Sequence, residues 1–259
     1  MNNELYDPVL DNPGNILTPT SPDQLLEILD RGLPRLSKMP PGLNRKFETV
    51  FSLPTDSIWK QLFGPLFTRT KVIDKPIPVR LEPLAGVRQQ TGSDCVGAVT
   101  MAVLSQITGL PINSKLYEGF LITALKHRLA TQEQDGIRVD PFVINILKTP
   151  EFESTYGIKS SIILRNELTL AELSEIARSA RTMKNPYELF ILNRVASWKN
   201  PGGDHLVAMQ EIMTDGVVIY DPGEAKPRNL SFREFMRRWD YVENSAILIF
   251  VRSGLATER

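Results

Sequence analysis

Gln89-Gln90-Thr91-Gly92-Ser93-Asp94-Cys95-Val96-Gly97-Ala98, running into the apolar stretch 99–107, decides the reading of this chain. Cys95 is the single cysteine among 259 residues. It falls where a loop turns into a helix: Asp94 is a good N-cap, and Gly109 stands just past the last apolar turn, a common stop. A thiol in the first helical turn faces unpaired backbone N–H groups and the positive end of the macrodipole, and both favour the thiolate. An accessible, nucleophilic sulfur is therefore expected. Gln89, six positions earlier, is close enough to fold back as a side-chain donor beside it.

The matching stretch lies far downstream, in Gly202-Gly203-Asp204-His205-Leu206-Val207-Ala208-Met209. His205 opens an apolar run that reads as a strand. A second strand over 216–220 ends at Asp221-Pro222-Gly223, with a turn expected at Thr214-Asp215-Gly216. A hairpin of that size returns the Asp221 carboxylate to the start of the first strand, where it can orient an imidazole. Gln89 is expected to point its amide at the space beside the sulfur, with Gln90 turned away.

Taken singly, each residue has a plainer reading. A lone cysteine is commonly a small buried hydrophobe. Asp221 could be only a turn former before Pro222-Gly223. Asp94 reads as a cap and Asp204 as a loop residue. The other histidine, His127, lies between Lys126 and Arg128 and reads as part of an exposed helix face. It is the company that Cys95 keeps which points to chemistry.

That company, Gln89, Asp94-Cys95, His205-Leu206-Val207 and Asp221-Pro222 in this order, resembles the papain-like cysteine peptidases, most of all the peptidase C39-like branch. Val96 stands where that family usually has Gly, and Gly97 comes one position later. The resemblance covers roughly residues 81–251. It implies an α+β fold: a helical subdomain carrying the Cys packed on an antiparallel sheet carrying the His. It also implies a cysteine hydrolase acting on a peptide or protein substrate through a thioester. Cys95 would be the nucleophile, His205 the base and later acid, and Asp221 the residue fixing the imidazole. Gln89, with the Cys95 N–H, would stabilise the oxyanion. Acyl transfer to an amine by the same groups, or an idle module of this fold used for binding, are the alternatives. The family's Gly-Gly leader specificity is not extended to this chain, whose sequence shows no transporter domain.

Composition narrows the remainder. Thirty basic residues balance thirty acidic ones, which argues against a nucleic-acid partner. No apolar segment reaches the length of a membrane span. The first residues show neither a positive nor an apolar signal region, and a single thiol suits a reducing compartment, so a cytoplasmic location is expected. One Cys and two distant His lack the spacing of a zinc site, and no cofactor is expected.

Along the chain, twelve of the nineteen prolines lie before residue 84. Residues 1–80 therefore read as a Pro-rich arm packed on a catalytic body over 81–259. The arm holds a capped helix (Ser21, Pro22, Gln24, then Leu25, Leu26, Ile28, Leu29) and a second apolar helix over 56–63. The body reads as helices over 113–129, 140–147 and from the Thr169–Glu172 capping box, with a last helix capped by Ser231. Strands are expected over 158–164, 187–192, 206–212, 217–220 and 246–251.

Overall fold

Residues 246–251, Ala-Ile-Leu-Ile-Phe-Val, carry no polar side chain. Such a run suits a strand covered on both faces rather than one face. In the computed structural model, which describes residues 21–33, 76–84, 86–182, 186–199, 203–240 and 243–253, this is the case. Strand β9 (Ala246–Ser253) lies inside a seven-stranded antiparallel sheet. The order is β4 (Ile158–Arg165), β9, β5 (Glu188–Ala196), β6 (Asp204–Ile212), β7 (Gly216–Asp221), β8 (Lys226–Ser231). The short β1 (Val79–Arg80) pairs beside them with β6.

Alternation along the strands sorts the core into two layers. Phe190, Leu192, Leu206, Ala208, Tyr220, Ile247 and Ile249 face one cluster with the N-terminal helices. Leu189, Ile191, Val207, Met209, Ile219, Leu248 and Phe250 face the other, built with α5 (Leu170–Thr182) and α6 (Phe232–Trp239). The first cluster holds α1 (Pro22–Gly32), α2 (Cys95–Thr108), α3 (Ser114–Lys126), a 3-10 helix (Pro141–Lys148) and α4 (Pro150–Tyr156).

Local chemistry explains the element starts. Ser21 accepts from Gln24 N, Asn113 from Leu116 N (2.9 Å), Asp140 from Phe142 N (2.8 Å) and Ser231 from Glu234 N. The Thr169–Glu172 box closes in both directions, Thr169 N to Glu172 Oε2 at 2.8 Å and Glu172 N to Thr169 Oγ1 at 3.1 Å. The expected helix over 56–63 lies outside the described residues. Within residues 1–80 the described Leu25 and Leu29 are fully buried in the helical layer.

Three elements depart from the sequence reading. Helix α3 stops at Lys126, and the chain enters a hairpin of β2 (Ala130–Glu133) and β3 (Gly136–Val139). Helix α4 follows the 3-10 turn at Pro150, capped by Thr149. Strand β8 closes the sheet edge, although among its residues only Leu230 is buried.

Candidate active site

Cys95 opens α2, whose first ten residues are all buried. The sulfur is buried with them, at 8% exposure for the residue, where an accessible thiol was expected. The cause is packing around the helix start. Gly97 lies so close to its neighbours that a Cβ there would meet Val139 Cγ2 at 3.1 Å and the Tyr117 hydroxyl at 3.3 Å. The glycine one position after the expected place thus marks a close approach between α2, α3 and β3.

Asp94 occupies the N-cap position, but its side chain makes no cap hydrogen bond, contrary to expectation. Its carboxylate turns back into the preceding loop. It accepts from Gln90 N (2.9 Å), Thr91 N (3.0 Å), Thr91 Oγ1 (3.1 Å) and the Tyr117 hydroxyl (2.7 Å). Four donors thus converge on a fully buried side chain. Burial and the neighbouring Asp94 charge push the Tyr117 phenol far above its ordinary pKa, so it stays a donor. Asp94 is therefore the organiser of the 89–94 loop more than the cap of α2.

The segment from Leu81 into that loop is fastened to the sheet at several points. Gln89 N donates to Pro222 O (3.0 Å), Leu81 N to Gln210 O (2.7 Å), and the Tyr220 hydroxyl to Val87 O. Gln210 Nε2 also reaches Leu84 O (2.5 Å), at the point where the β6–β7 register shifts. On its other side the hairpin tip bears on it. Thr91 packs where a Cβ on Gly136, at φ +135°, would sit, and Ser93 Oγ donates to Asp135. The Gln89 amide nitrogen donates to Thr91 O (2.6 Å), while its Oε1, beside Gly223, is buried without a partner among the described residues. An amide carries two N–H groups, so one donor remains beyond the bond to Thr91.

His205 sits near the start of β6, and Asp221 ends β7. The pairing Ala208↔Tyr220 places Asp221 diagonally from His205 across the two strands. His205 Nε2 lies 2.8 Å from Asp221 Oδ1, and Cys95 is near enough to the same imidazole to raise its pKa. Asp221 Oδ1 also accepts from Gly223 N (2.9 Å), so the residue both turns the chain and holds the ring.

Electrostatics favour charge on both partners. Burial lowers the His205 pKa, but hydrogen bonds to Asp221 and Cys95 and their charges outweigh it and lift the imidazole to about 9. Burial raises the Asp221 carboxyl, yet the His205 hydrogen bond and charge, the Gly223 N–H and Arg228 together bring it below its ordinary value. An ionised Asp221 only accepts, so Nε2 carries the proton toward it. The other ring nitrogen is left to exchange a proton with the sulfur. A thiol, a proton-holding imidazole and an orienting carboxylate brought together can generate a thiolate and later protonate a leaving amine.

Sequence reasoning missed three residues near the imidazole, Trp198, Arg228 and Arg238. Trp198 meets the His205 ring edge-on at 5.9 Å. Arg228 and Arg238 each place a guanidinium over that indole, at 4.7 and 4.6 Å from its centroid. Tertiary folding alone unites them, and no spacing in the sequence signals it.

His127 is not on an exposed face. It is 1% exposed, with Nε2 2.7 Å from Asp30 Oδ1 on α1. Asp204 is the first residue of β6 rather than loop, and it pairs with Arg194. Among the described residues no group of three or more His, Cys, Asp or Glu is placed to hold a metal ion, and no helix is long and apolar enough to cross a membrane.

No family model matches this chain, and no curated protein matches it. Among solved structures it is similar to a double glycine motif protease from an AMS/PCAT transporter, crystallised in complex with the leader peptide. Identity is 15%, covering 68% of this chain and 97% of that one, with a TM-score of 0.37. It is also similar to the peptidase domain of Streptococcus ComA, a bi-functional ABC transporter involved in a quorum sensing pathway. There identity is 16%, covering 66% and 98%, with a TM-score of 0.39. At such identities and TM-scores the site's chemistry stands on its own residues.

Proposed function

We propose that this chain is a papain-like, peptidase C39-like cysteine peptidase or isopeptidase that cleaves an amide bond of a peptide or protein through a thioester. The observation that carries the reading is the continuous line Cys95–His205–Asp221 between the helical layer and the sheet. In this reading Cys95 attacks the carbonyl as thiolate and His205 gives its proton to the leaving amine. Water, deprotonated by His205, then releases the acyl group. The Cys95 N–H and the second Gln89 amide N–H stabilise the oxyanion. A cytoplasmic setting fits a free thiol. The test is native-state labelling with iodoacetamide at pH 6, where an ordinary thiol barely reacts, followed by a peptide-library cleavage assay. Fast labelling with cleavage that Cys95→Ser abolishes is expected. Slow labelling without cleavage rejects the reading.

The 8% exposure of Cys95 favours a second reading, an idle module of this fold that binds peptides without cutting them. Peptide capture by both the unmodified chain and Cys95→Ser, without cleavage by either, selects it.

A further inference from the structure

Arg228 lies on β8 opposite Ile219 of β7, and therefore on the sheet face that Asp221 shares. Its guanidinium reaches three groups at once. Nη1 is 3.6 Å from Asp221 Oδ2, the oxygen that does not face His205. Nη2 pairs with Glu224 in the β7–β8 turn. The plane covers the Trp198 indole, whose edge relation to the His205 ring was described above. Arg238 of α6 covers the same indole and donates to Ala196 O and Ser197 O, both at 3.3 Å. Arg228 thus touches both supports of the imidazole, the carboxylate at Nε2 and the indole at the ring.

Resting on the peptidase reading, we infer that Arg228 is a positioning residue for the Cys95–His205 pair. It fixes Asp221 through Oδ2 so that Oδ1 is delivered to His205, and it fixes Trp198 through its stacked plane. A guanidinium suits both tasks, since its fork meets a carboxylate edge while its face lies on an aromatic ring. A lysine in that place keeps the charge and loses both fits. Glu224 completes the arrangement by drawing the outer end of the guanidinium toward the turn.

The charged groups around His205 are Cys95 from α2, Asp221 from β7, Asp204 with its partner Arg194 on the β5–β6 side, and Arg228 with Glu224 from β8 and its turn. Arg238 stands beyond Trp198, with Arg237 and Glu234 on the same helix. Two effects of Arg228 on His205 have opposite signs. As a like charge it disfavours an imidazolium; as a positioning group it strengthens the carboxylate that favours one. The sign separates the inference from simple repulsion.

The test uses the full chain, whose two histidines can be followed by NMR titration of their ring signals and assigned with His127→Gln. The pH midpoint of His205 is compared between the unmodified protein, Arg228→Gln and Arg228→Lys. Arg228→Gln is expected to lower the midpoint by about one pH unit, and Arg228→Lys to restore less than half of that. In an Asp221→Asn background, where only the like-charge effect is left, adding Arg228→Gln should no longer lower the midpoint, because the lowering runs through that carboxylate. Iodoacetamide labelling of Cys95 at pH 6 should slow about tenfold in Arg228→Gln. A midpoint that rises, or stays, in Arg228→Gln overturns the inference. If that variant does not fold, Arg228→Lys carries the test, and a midpoint equal to the unmodified protein's overturns it. The peptidase reading fails by a different outcome, an unmodified protein that cleaves no peptide; the midpoint comparison is still read there as a property of the His205–Asp221 pair.

Discussion

The molecule holds two histidines, and each has a carboxylate against Nε2 at nearly the same distance: His205 with Asp221 at 2.8 Å, His127 with Asp30 at 2.7 Å. Their other sides differ. Cys95 acts on the His205 ring and raises its pKa, whereas His127 Nδ1 is buried without a partner among the described residues. The surroundings of the carboxylates differ as well. Asp221 is enclosed, with Gly223 N–H and Arg228 on it, while Asp30 is over a third exposed and shared with Lys126. A histidine–carboxylate pair is thus not in itself a site. One ties α1 to the end of α3; the other stands at a thiol.

The largest expected contrast is in thiol reactivity. His205→Ala should slow iodoacetamide labelling of Cys95 at pH 6 roughly 100-fold, because it removes the cation that holds a thiolate. His127→Ala should leave the rate within about twofold. Equal slowing by both variants would erase the distinction between the pairs.

Stability should sort them the other way. His127→Ala removes an almost fully enclosed ring and the anchor of Asp30, at a cost of about 2–3 kcal/mol in urea unfolding. For His205→Ala about 1 kcal/mol is expected, since Asp221 keeps Gly223 and Arg228. Reversed magnitudes would show that the fold leans on the proposed site more than on the α1 clasp.

The two pairs should also fade at opposite ends of the pH scale. Hydrogen bonds from Lys126 and His127 hold the Asp30 carboxyl at about 2, against burial, from an ordinary 3.8. A lowered folded-state value stabilises above the unfolded one, so this contribution is complete above about pH 4 and lost as pH falls toward 2. His205 is raised from 6.5 to about 9, so its contribution is complete below 6.5 and lost as pH rises through 9. Urea midpoints at pH 3 and 5, and at 7 and 9.5, should show each slope flattened only in Asp30→Asn and His205→Ala respectively.

Asp30→Asn itself carries the smallest effect. Its carboxylate is partly in water, and an exposed pair is worth less than about 1 kcal/mol. A loss well beyond that would mean that the clasp acts as a buried ion pair.

The His127 misreading shows where sequence runs out. Its charged neighbours, Lys126 and Arg128, suggested an exposed helical face. The helix in fact ends at Lys126, and Arg128 takes a positive φ of 60°, so helical periodicity no longer applies at that point. Strand β8 was unreadable for a related reason: Lys-Pro-Arg-Asn-Leu-Ser has one buried apolar residue, and an edge strand needs no more. The β2–β3 turn at Gln134-Asp135, followed by Gly136, had a usable signal, but its flanks, Ala-Thr-Gln-Glu and Gly-Ile-Arg-Val, are too polar to alternate clearly. The buried strands and capped helices were legible because each carries its own period or cap. Cys95, Gln89, His205 and Asp221 were legible as candidates because short motifs fix them locally. Trp198 and Arg228 are joined to them only by the folded sheet.

The two-layer core has a consequence for how the chain acquires chemistry. Cys95 belongs to the helical layer and His205 to the sheet, more than a hundred residues later in the chain. Neither layer alone assembles the pair, so the thiol and its base meet only after a long-range closure between the layers has occurred. A nascent or partly unfolded chain then carries an ordinary cysteine. Reactivity at pH 6 would appear late in refolding, as a chemical clock for the docking of the two layers.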